Sequence, residues 1–321
     1  MAIALATLVA VTFTTVPQSY TQEAYPTRPV RIVIGYAPGG AADILARTLA
    51  QSLEARLGQP FIVDNRPGAE GSLADRTVVR SAPDGYTLGL QGTALAINVA
   101  LLPGIGFDPA KEVAPITLIG DTAYLVAIHP SVPAKTLSEF IEVAKTRKGQ
   151  FNYATPSSPA LLAATLFNSM AGIEMTRVPF RGAGAAIPVL LSGDVQFMIS
   201  SITSLLPLVP SDRIRALAVS GTKRTVLAPD IPTVTESAVP GYSATTWYGL
   251  FAPAGTPRVI IDRLNLAVRQ SLAEPAVKSK LLEQGFETTP STPEEFSAFL
   301  KTEIVKWGKA VKSSGLLTSS N

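Results

Sequence analysis

Four segments place small and hydroxyl-bearing residues where a strand-like run gives way to a helix-like one, a pattern that can hold an anion with backbone N–H groups. They are Gly35 to Asp43 (GYAPGGAAD), Gln91 to Ala94 (QGTA), Thr155 to Pro159 (TPSSP) and Phe180 to Ala185 (FRGAGA). A helix start leaves its first amides unpaired and carries roughly half a positive charge, so each segment is a candidate carboxylate cradle. Glycine and alanine let the backbone come close to a ligand. In Ser158-Pro159, serine suits the N-cap and proline the first helical turn. The first segment fits neither a Walker A motif nor the dinucleotide Gly-x-Gly-x-x-Gly fingerprint, so no nucleotide cofactor is expected. Any one of these loops alone is an ordinary turn. Four of the same chemistry, two in each expected unit, point to a binding cleft.

Catalysis has little to work with. The chain has no cysteine and a single histidine, His129, which rules out thiolate and multi-histidine metal sites. The loops hold no nucleophile–base pair, so the chain reads as a binder, not an enzyme, and needs no cofactor. His129 precedes a proline at a strand end and reads as structural. Arg181 is the one cation in the loops; ligand contact and plain exposure at a loop tip both fit it. Asp43 falls in the first turn of its helix, where capping fits better than ligand contact. Trp247 and Tyr248 fit a core better than a ligand platform, although aromatic cleft walls are common.

The elements that must position these loops alternate strand and helix, which predicts an α/β architecture with largely parallel sheets. Val30 to Ile34 suits a buried strand. Leu45, Leu49, Leu53 and Leu57 form one stripe of a helix over Ala41 to Leu57, with Gly58 as its C-cap. A strand at Phe61 to Val63, a helix from Ser72 to Arg80, a strand at Tyr86 to Leu90 and a helix from Thr93 to Leu102 follow. A second unit is expected from near Tyr124. Its strands are Leu125 to Ile128, Phe151 to Ala154, Met175 to Val178, Val195 to Ile199 and Ala216 to Ser220. Its helices are near Leu137 to Thr146, Pro159 to Met170 and Ala185 to Leu191. Thr222 to Ser243 reads as a loop-rich return crossing. The C-terminal part reads as helical, with Thr256 as an N-cap before Pro257, and a capping box in Thr292-Pro293-Glu294-Glu295.

The 321 residues exceed what one hydrophobic core usually covers, so two domains are expected. The chain is 46% hydrophobic and 16% charged, which suits a compact globular protein. Its formal charge of +3 forms no basic stripe, and nucleic acid is not expected as a partner. Residues 1–24 begin with an apolar run, Met1 to Phe13, too short to span a bilayer and followed by polar residues. This segment reads as a secretory signal, cleaved between Ser19 and Tyr25.

The segments YPTRPVRIVIGYAPGGAADILAR, DNRPGAEGS, APDGYTL, VPFRGAGAAIPVLLSGDV, RALAVS, PDIPTVTESAVPGY and LFAPAGTP closely resemble the Bug family, the receptors of tripartite tricarboxylate transporters. They run in order from about Tyr25 to Gly315. The resemblance implies a two-domain periplasmic binding protein, a Venus flytrap with hinge crossings and with C-terminal helices returning to the first domain. On that basis domain 1 is residues 25–124 with 246–321, and domain 2 is 125–245. It also implies carboxylate capture by backbone groups and ordered water, and a partner permease in the membrane.

Carried over by motif, the first-domain site is Tyr36, Ala37, Pro38, Gly39, Gly40, Ala41, Ala42 and Asp43, with Thr93 and Ala94 nearby. The second-domain site is Thr155, Ser157, Ser158, Phe180, Arg181, Gly182, Ala183 and Gly184, with Ser200 and Ser201 after the following strand. Ser200 stands where family members often have aspartate, so an ammonium group would lack its natural partner and amino acids are disfavoured as ligands. The expected ligand is a small carboxylate, an aliphatic C4 acid or an aromatic dicarboxylate of the terephthalate kind flanked by Tyr36, Phe180 and Trp247. The expected protein is a periplasmic monomer that hands this ligand to the permease subunits. A sensory receptor of the same fold is the alternative.

Overall fold

The computed structural model describes residues 25–102 and 104–313. The expected export segment, residues 1–24, lies outside the described residues. Among them ten strands follow one another: β1 Val30–Ile34, β2 Phe61–Asn65, β3 Thr87–Gly92, β4 Val113–Ile128, β5 Asn152–Thr155, β6 Thr176–Pro179, β7 Phe197–Ser201, β8 Arg215–Val219, β9 Thr245–Pro253 and β10 Glu287–Thr288. The first half of β4 completes one sheet, in the order β2-β1-β3-β9-β4, with β10 on its edge. The second half of β4 passes into the other sheet, between β7 and β8, with β5 and β6 beyond β7.

The expectation of largely parallel sheets needs correction. β1 with β2 and β3, and β5 with β6 and β7, are parallel, but every contact of β4 and β9 is antiparallel. Parallel βαβ units thus form the outer part of each sheet, and two long crossing strands join them. β9 and the residues of β4 before Tyr124 escaped the sequence reading, because Pro115 and Gly120 interrupt the apolar pattern. In the sheet, register shifts beside both residues absorb them as bulges.

Each sheet is covered on both faces. The helix Ala41–Leu57 buries Leu45, Leu49 and Leu53 completely against β1 and β3, together with Leu264 and Val268 of the helix Arg258–Ala273. Burying each such leucine contributes about 1.5–3 kcal/mol. The stripe weakens at Leu57, which is partly buried, and Gly58 ends the helix in the left-handed conformation with its N–H on the Glu54 carbonyl. On the opposite face Val78, Leu95, Phe296 and Leu300 pack on Val33 and Phe251, so the C-terminal helix Pro293–Ser313 returns to the first sheet. The second sheet is sandwiched by the helices Leu137–Thr146 and Ser158–Ala171 on one side and Ala183–Ser192 on the other.

Helix starts follow local chemistry, with two corrections. Thr292 and Glu295 form the expected capping box, through hydrogen bonds of 2.8 and 3.2 Å. Thr256 does not cap its helix; its hydroxyl donates to the Pro253 carbonyl, and Pro257 occupies the N-cap. Ser157, not Ser158, caps the helix Ser158–Ala171 by accepting from the Ala160 N–H.

The two crossings are tied together by one side chain. The fully buried Ser220, just after β8, accepts from the Tyr124 N–H at 2.8 Å, and its hydroxyl donates to the Ala244 carbonyl. Backbone bonds from Ser220 N–H to Tyr124 and from Ala244 N–H to Ser220 close the clasp, each at 2.9 Å. Ser220 therefore holds both strands where they leave one sheet for the other.

Packing between β9 and the C-terminal helix leaves no spare room at Gly249. A methyl group there would lie 2.2 Å from the Phe296 ring. Gly249→Ala should lower stability by about 1–3 kcal/mol, the usual cost of overpacking. The reading is a lower urea midpoint with an unchanged slope; an unchanged midpoint would show that Phe296 can move aside.

Candidate functional site

The four small-residue loops lie at the carboxyl ends of β1, β3, β5 and β6, where open α/β sheets place their ligands. Across the gap between the two sheets they meet. The Ala37 N–H donates to the Arg181 carbonyl at 3.0 Å, and Gly184 packs so tightly under the opposite loop that a methyl on it would lie 2.0 Å from the Pro38 carbonyl oxygen. A methyl on Gly40 would sit 3.8 Å from the Ala183 Cβ and 4.0 Å from its amide nitrogen. The starts of two helices, one on each sheet, therefore face each other at close range.

Between them lies a narrow cleft. Of the residues expected to bind, it is lined by Tyr36, Gly40, Ala41, Ala42, Thr93, Ala94, Ser157, Ala183, Ser200 and Ser201. None of the side chains lining it carries a formal charge. Its polarity comes from hydroxyls and from amides. Gly40 offers no side-chain cap, and the first intrahelical donor of its helix is Ile44, so the Ala41, Ala42 and Asp43 amides precede it unused. Gly182 likewise leaves the helix Ala183–Ser192 without a side-chain cap. Thr93 cannot cap the helix Ala94–Leu101, because its hydroxyl is shared between Thr246 and the Trp247 N–H, each at 3.1 Å.

The other expected residues stand around this cleft and not in its wall. Ala37, Pro38 and Gly39 form the crest of the first loop, against Arg181 to Gly184 of the second sheet. The Arg181 side chain is exposed and absent from the lining, and its backbone carbonyl makes the contact. Asp43 turns back on its own loop, accepting from the Gly39 N–H, Arg47 and Asn65 at 3.0–3.1 Å. Burial would push its carboxyl up, but those hydrogen bonds hold it below the usual carboxylate value. The Thr155 hydroxyl accepts from Arg177 and the Ser158 hydroxyl donates to Asn98. Phe180 packs against the core of the second sheet. Trp247 faces away from the cleft, edge-on to Phe296 and Phe299, with its indole N–H on Glu303. The expected ring-flanking set of Tyr36, Phe180 and Trp247 is thereby corrected: Tyr36 and Tyr248 line the cleft, and the other two do not.

Lining residues outside the expected set include Gln91, Tyr124, Ser204, Thr246 and Tyr248. Gln91 lay in a loop already singled out. Ser204 had a readable signal, since Ser200-Ser201-Ile202-Thr203-Ser204 gathers three serines where a strand ends and a helical turn begins. Tyr124 and Thr246 had none, because they sit on the crossing strands, whose extent the sequence did not reveal.

A second polar cluster bridges the sheets beside the cleft. Glu70, in a left-handed conformation at φ 55°, forms an ion pair with Arg177 at 3.3 Å, and its carbonyl accepts from Asn98. Ser158 joins this cluster through Asn98 at 2.7 Å. Burial pushes the Glu70 carboxyl up, against the opposing pull of Arg177 and the Ser158 amide.

Behind Gln91 lies a buried acid. Asp75 is 2% exposed, and both its oxygens accept from the Gln91 amide at 3.4 Å. Burial pushes its carboxyl up to about 7. Such a group binds more protons folded than unfolded between the usual value of 3.8 and about 7, so stability falls as pH rises through that window. Asp75→Asn keeps the size and a hydrogen bond but cannot ionise. Its melting temperature should match the parent near pH 4 and exceed it by a few degrees at pH 8 and above. An equal difference at both pH values would show that Asp75 does not titrate as its burial requires.

Comparison with known proteins agrees with this geometry. Residues 45–316 match the profile of the tripartite tricarboxylate transporter family receptor. Protein BugT of Bordetella pertussis is 32% identical over 297 residues, covering 91% of each chain. Among solved structures, an R. palustris protein with adipate superposes at a TM-score of 0.88, with 33% identity over 91% of this chain and 98% of its own. MatC from Rhodopseudomonas palustris, with bound malate, superposes at 0.84, with 31% identity over 89% of this chain and 100% of its own. The two-sheet architecture is thus that of a two-domain binding protein. The chain belongs to the family of tripartite tricarboxylate transporter receptors, which are solute-binding proteins and not enzymes.

Proposed function

We propose that the protein captures a small carboxylate in the periplasm and delivers it to the membrane subunits of a tripartite tricarboxylate transporter. The observation that carries this reading is the cleft itself: uncapped helix starts from both sheets converge on a space whose walls hold no cation. Aligned N–H groups and positive helix ends suit an anion. The ligand is a dicarboxylate, aliphatic or aromatic. The adipate and malate found in two relatives support the first kind, and the Tyr36 and Tyr248 side chains in the cleft lining suit the second.

Binding is coupled to hinge closure. The moving units are residues 25–124 with 246–321 and residues 125–245, turning where β4 and the approach to β9 are clasped by Ser220. Carboxylate capture falls to the amides of Gly40, Ala41 and Ala42 on one unit and of Ala183 on the other, with Thr93, Ala94, Ser157, Ser200 and Ser201 completing the wall. Ala37 to Gly39, Phe180, Arg181, Gly182 and Gly184 form the seal. Asp43, Thr155 and Ser158 hold it from behind.

A thermal-shift screen of mono- and dicarboxylates tests the reading, because a ligand selective for the native state raises the melting temperature by mass action. No shift with any carboxylate would overturn it. The variants rank the mechanism. Gly184→Ala forces the two loops apart, so affinity should fall about tenfold or more, with the melting temperature of the free protein unchanged. Arg181→Ala removes only an exposed side chain and should cost less than about threefold. Calorimetry giving the reverse order would make the site an arginine clamp.

A further inference from the structure

Two buried hydroxyls in the cleft are left without partners by everything described so far. Ser201 and Ser204 are each 6% exposed, and among the described residues neither Oγ has a hydrogen-bond partner. Both line the cleft. Ser201 ends β7 and lies directly opposite Tyr124 in the β4–β7 register, and Ser204 follows one turn later. The Tyr124 hydroxyl lies against Thr246 without closing a hydrogen bond of good geometry. Buried polar groups are seldom left unpaired, and three together on one wall call for a partner that arrives from outside.

We infer that Ser201, Ser204 and Tyr124 form a second, cation-free subsite that binds the far carboxylate of the ligand through hydroxyl donors. The inference rests on the receptor reading above and names the part of the site that distinguishes a dicarboxylate from a monocarboxylate. The helix starts at Gly40 and Ala183 take one carboxylate; the hydroxyl cluster, fed from β7 and the crossing strand, takes the other. The chemistry favours an acceptor. An ionised carboxylate offers about four lone-pair sites and no proton, so it accepts from all three hydroxyls at once. An ammonium group would meet only hydroxyl lone pairs, because no carboxylate lines the cleft. Burial holds the Tyr124 phenol well above its usual value, so it keeps its proton and stays a donor. Thr203, whose hydroxyl is also unpaired, is absent from the cleft wall and lies near Gly285, which makes it a control.

Three acid pairs of matched skeleton provide the test by titration calorimetry: succinate with butyrate, adipate with hexanoate, and terephthalate with benzoate. In the parent protein the diacid of the pair that fits should bind about tenfold or more tighter than its monoacid, the ratio expected for one charge-assisted contact set. In the Ser201→Ala/Ser204→Ala double variant, confirmed as folded by circular dichroism, the diacid should fall to the monoacid's level while the monoacid is unchanged. Tyr124→Phe should act in the same direction, and Thr203→Val should leave both affinities as they were. Equal loss for diacid and monoacid, or a parent protein that does not discriminate between them, overturns the subsite and leaves the receptor reading standing. A parent protein that binds none of the six acids overturns both.

Discussion

Everything in this molecule turns on positive helix ends meeting in a space that holds no formal charge. Each helix start contributes a partial charge worth about 0.3–2 kcal/mol to a nearby anion. At the cleft the starts at Gly40 and Ala183 face each other, so that a methyl group added to Gly40 would touch Ala183. Without an anion between them, like partial charges and unpaired amides face across a poorly solvated gap. With one, the same groups become donors to a common acceptor. On the receptor function proposed above, repulsion would become attraction, and closure would be tied to the ligand's charge as well as to the Ala37–Arg181 contact between the loops.

The rest of the fold supplies the geometry this requires. The parallel halves of the two sheets point the carboxyl ends of β1, β3, β5 and β6 toward the gap, and the antiparallel crossings β4 and β9 hold those halves in register. Ser220 fastens the crossings to each other at their shared turning point. Outside the cleft the two sheets are joined by the buried Ser158–Asn98 hydrogen bond, by Ile97 packed on Leu162, and by an ion pair. The Glu70–Arg177 pair is partly exposed, with side-chain exposures of 15% and 38%, and screening by water keeps such a pair weak. The strained backbone of Ala69 and Glu70, at φ 45° and 55°, offsets part of that gain.

Much of this was legible in the sequence, and the reason is local. The helix Ala41–Leu57 could be placed to the residue because a leucine every fourth position and a glycine at its end leave little alternative. The four loops could be found because the same small-residue chemistry recurs at four strand-to-helix junctions, two in each expected unit. What escaped was long-range. β4 reads as broken by Pro115 and Gly120, and only its pairing with β9, more than a hundred residues away, makes it one strand. The same blindness hid Tyr124 and Thr246, whose place in the cleft wall follows from that pairing. Asp43 and Arg181 illustrate the converse. They are the charged residues nearest the loops in sequence, yet their side chains lie outside the wall, one spent on holding a loop and the other exposed.

A neutral site has a consequence for release. A buried arginine would bind a carboxylate through two parallel charged hydrogen bonds, and opening the cleft would leave both charges to be resolvated together. Helix ends and hydroxyls, in the site proposed above, would hold the anion through several separate contacts, each modest. The lining residues come from both sheets, with Gly40 on one side and Ala183, Ser201 and Ser204 on the other. On the proposed hinge motion, opening would break the set in half at once, and neither half alone would neutralise the ligand. A receptor built this way would grip only while closed, and whatever pulled its halves apart would also discharge it.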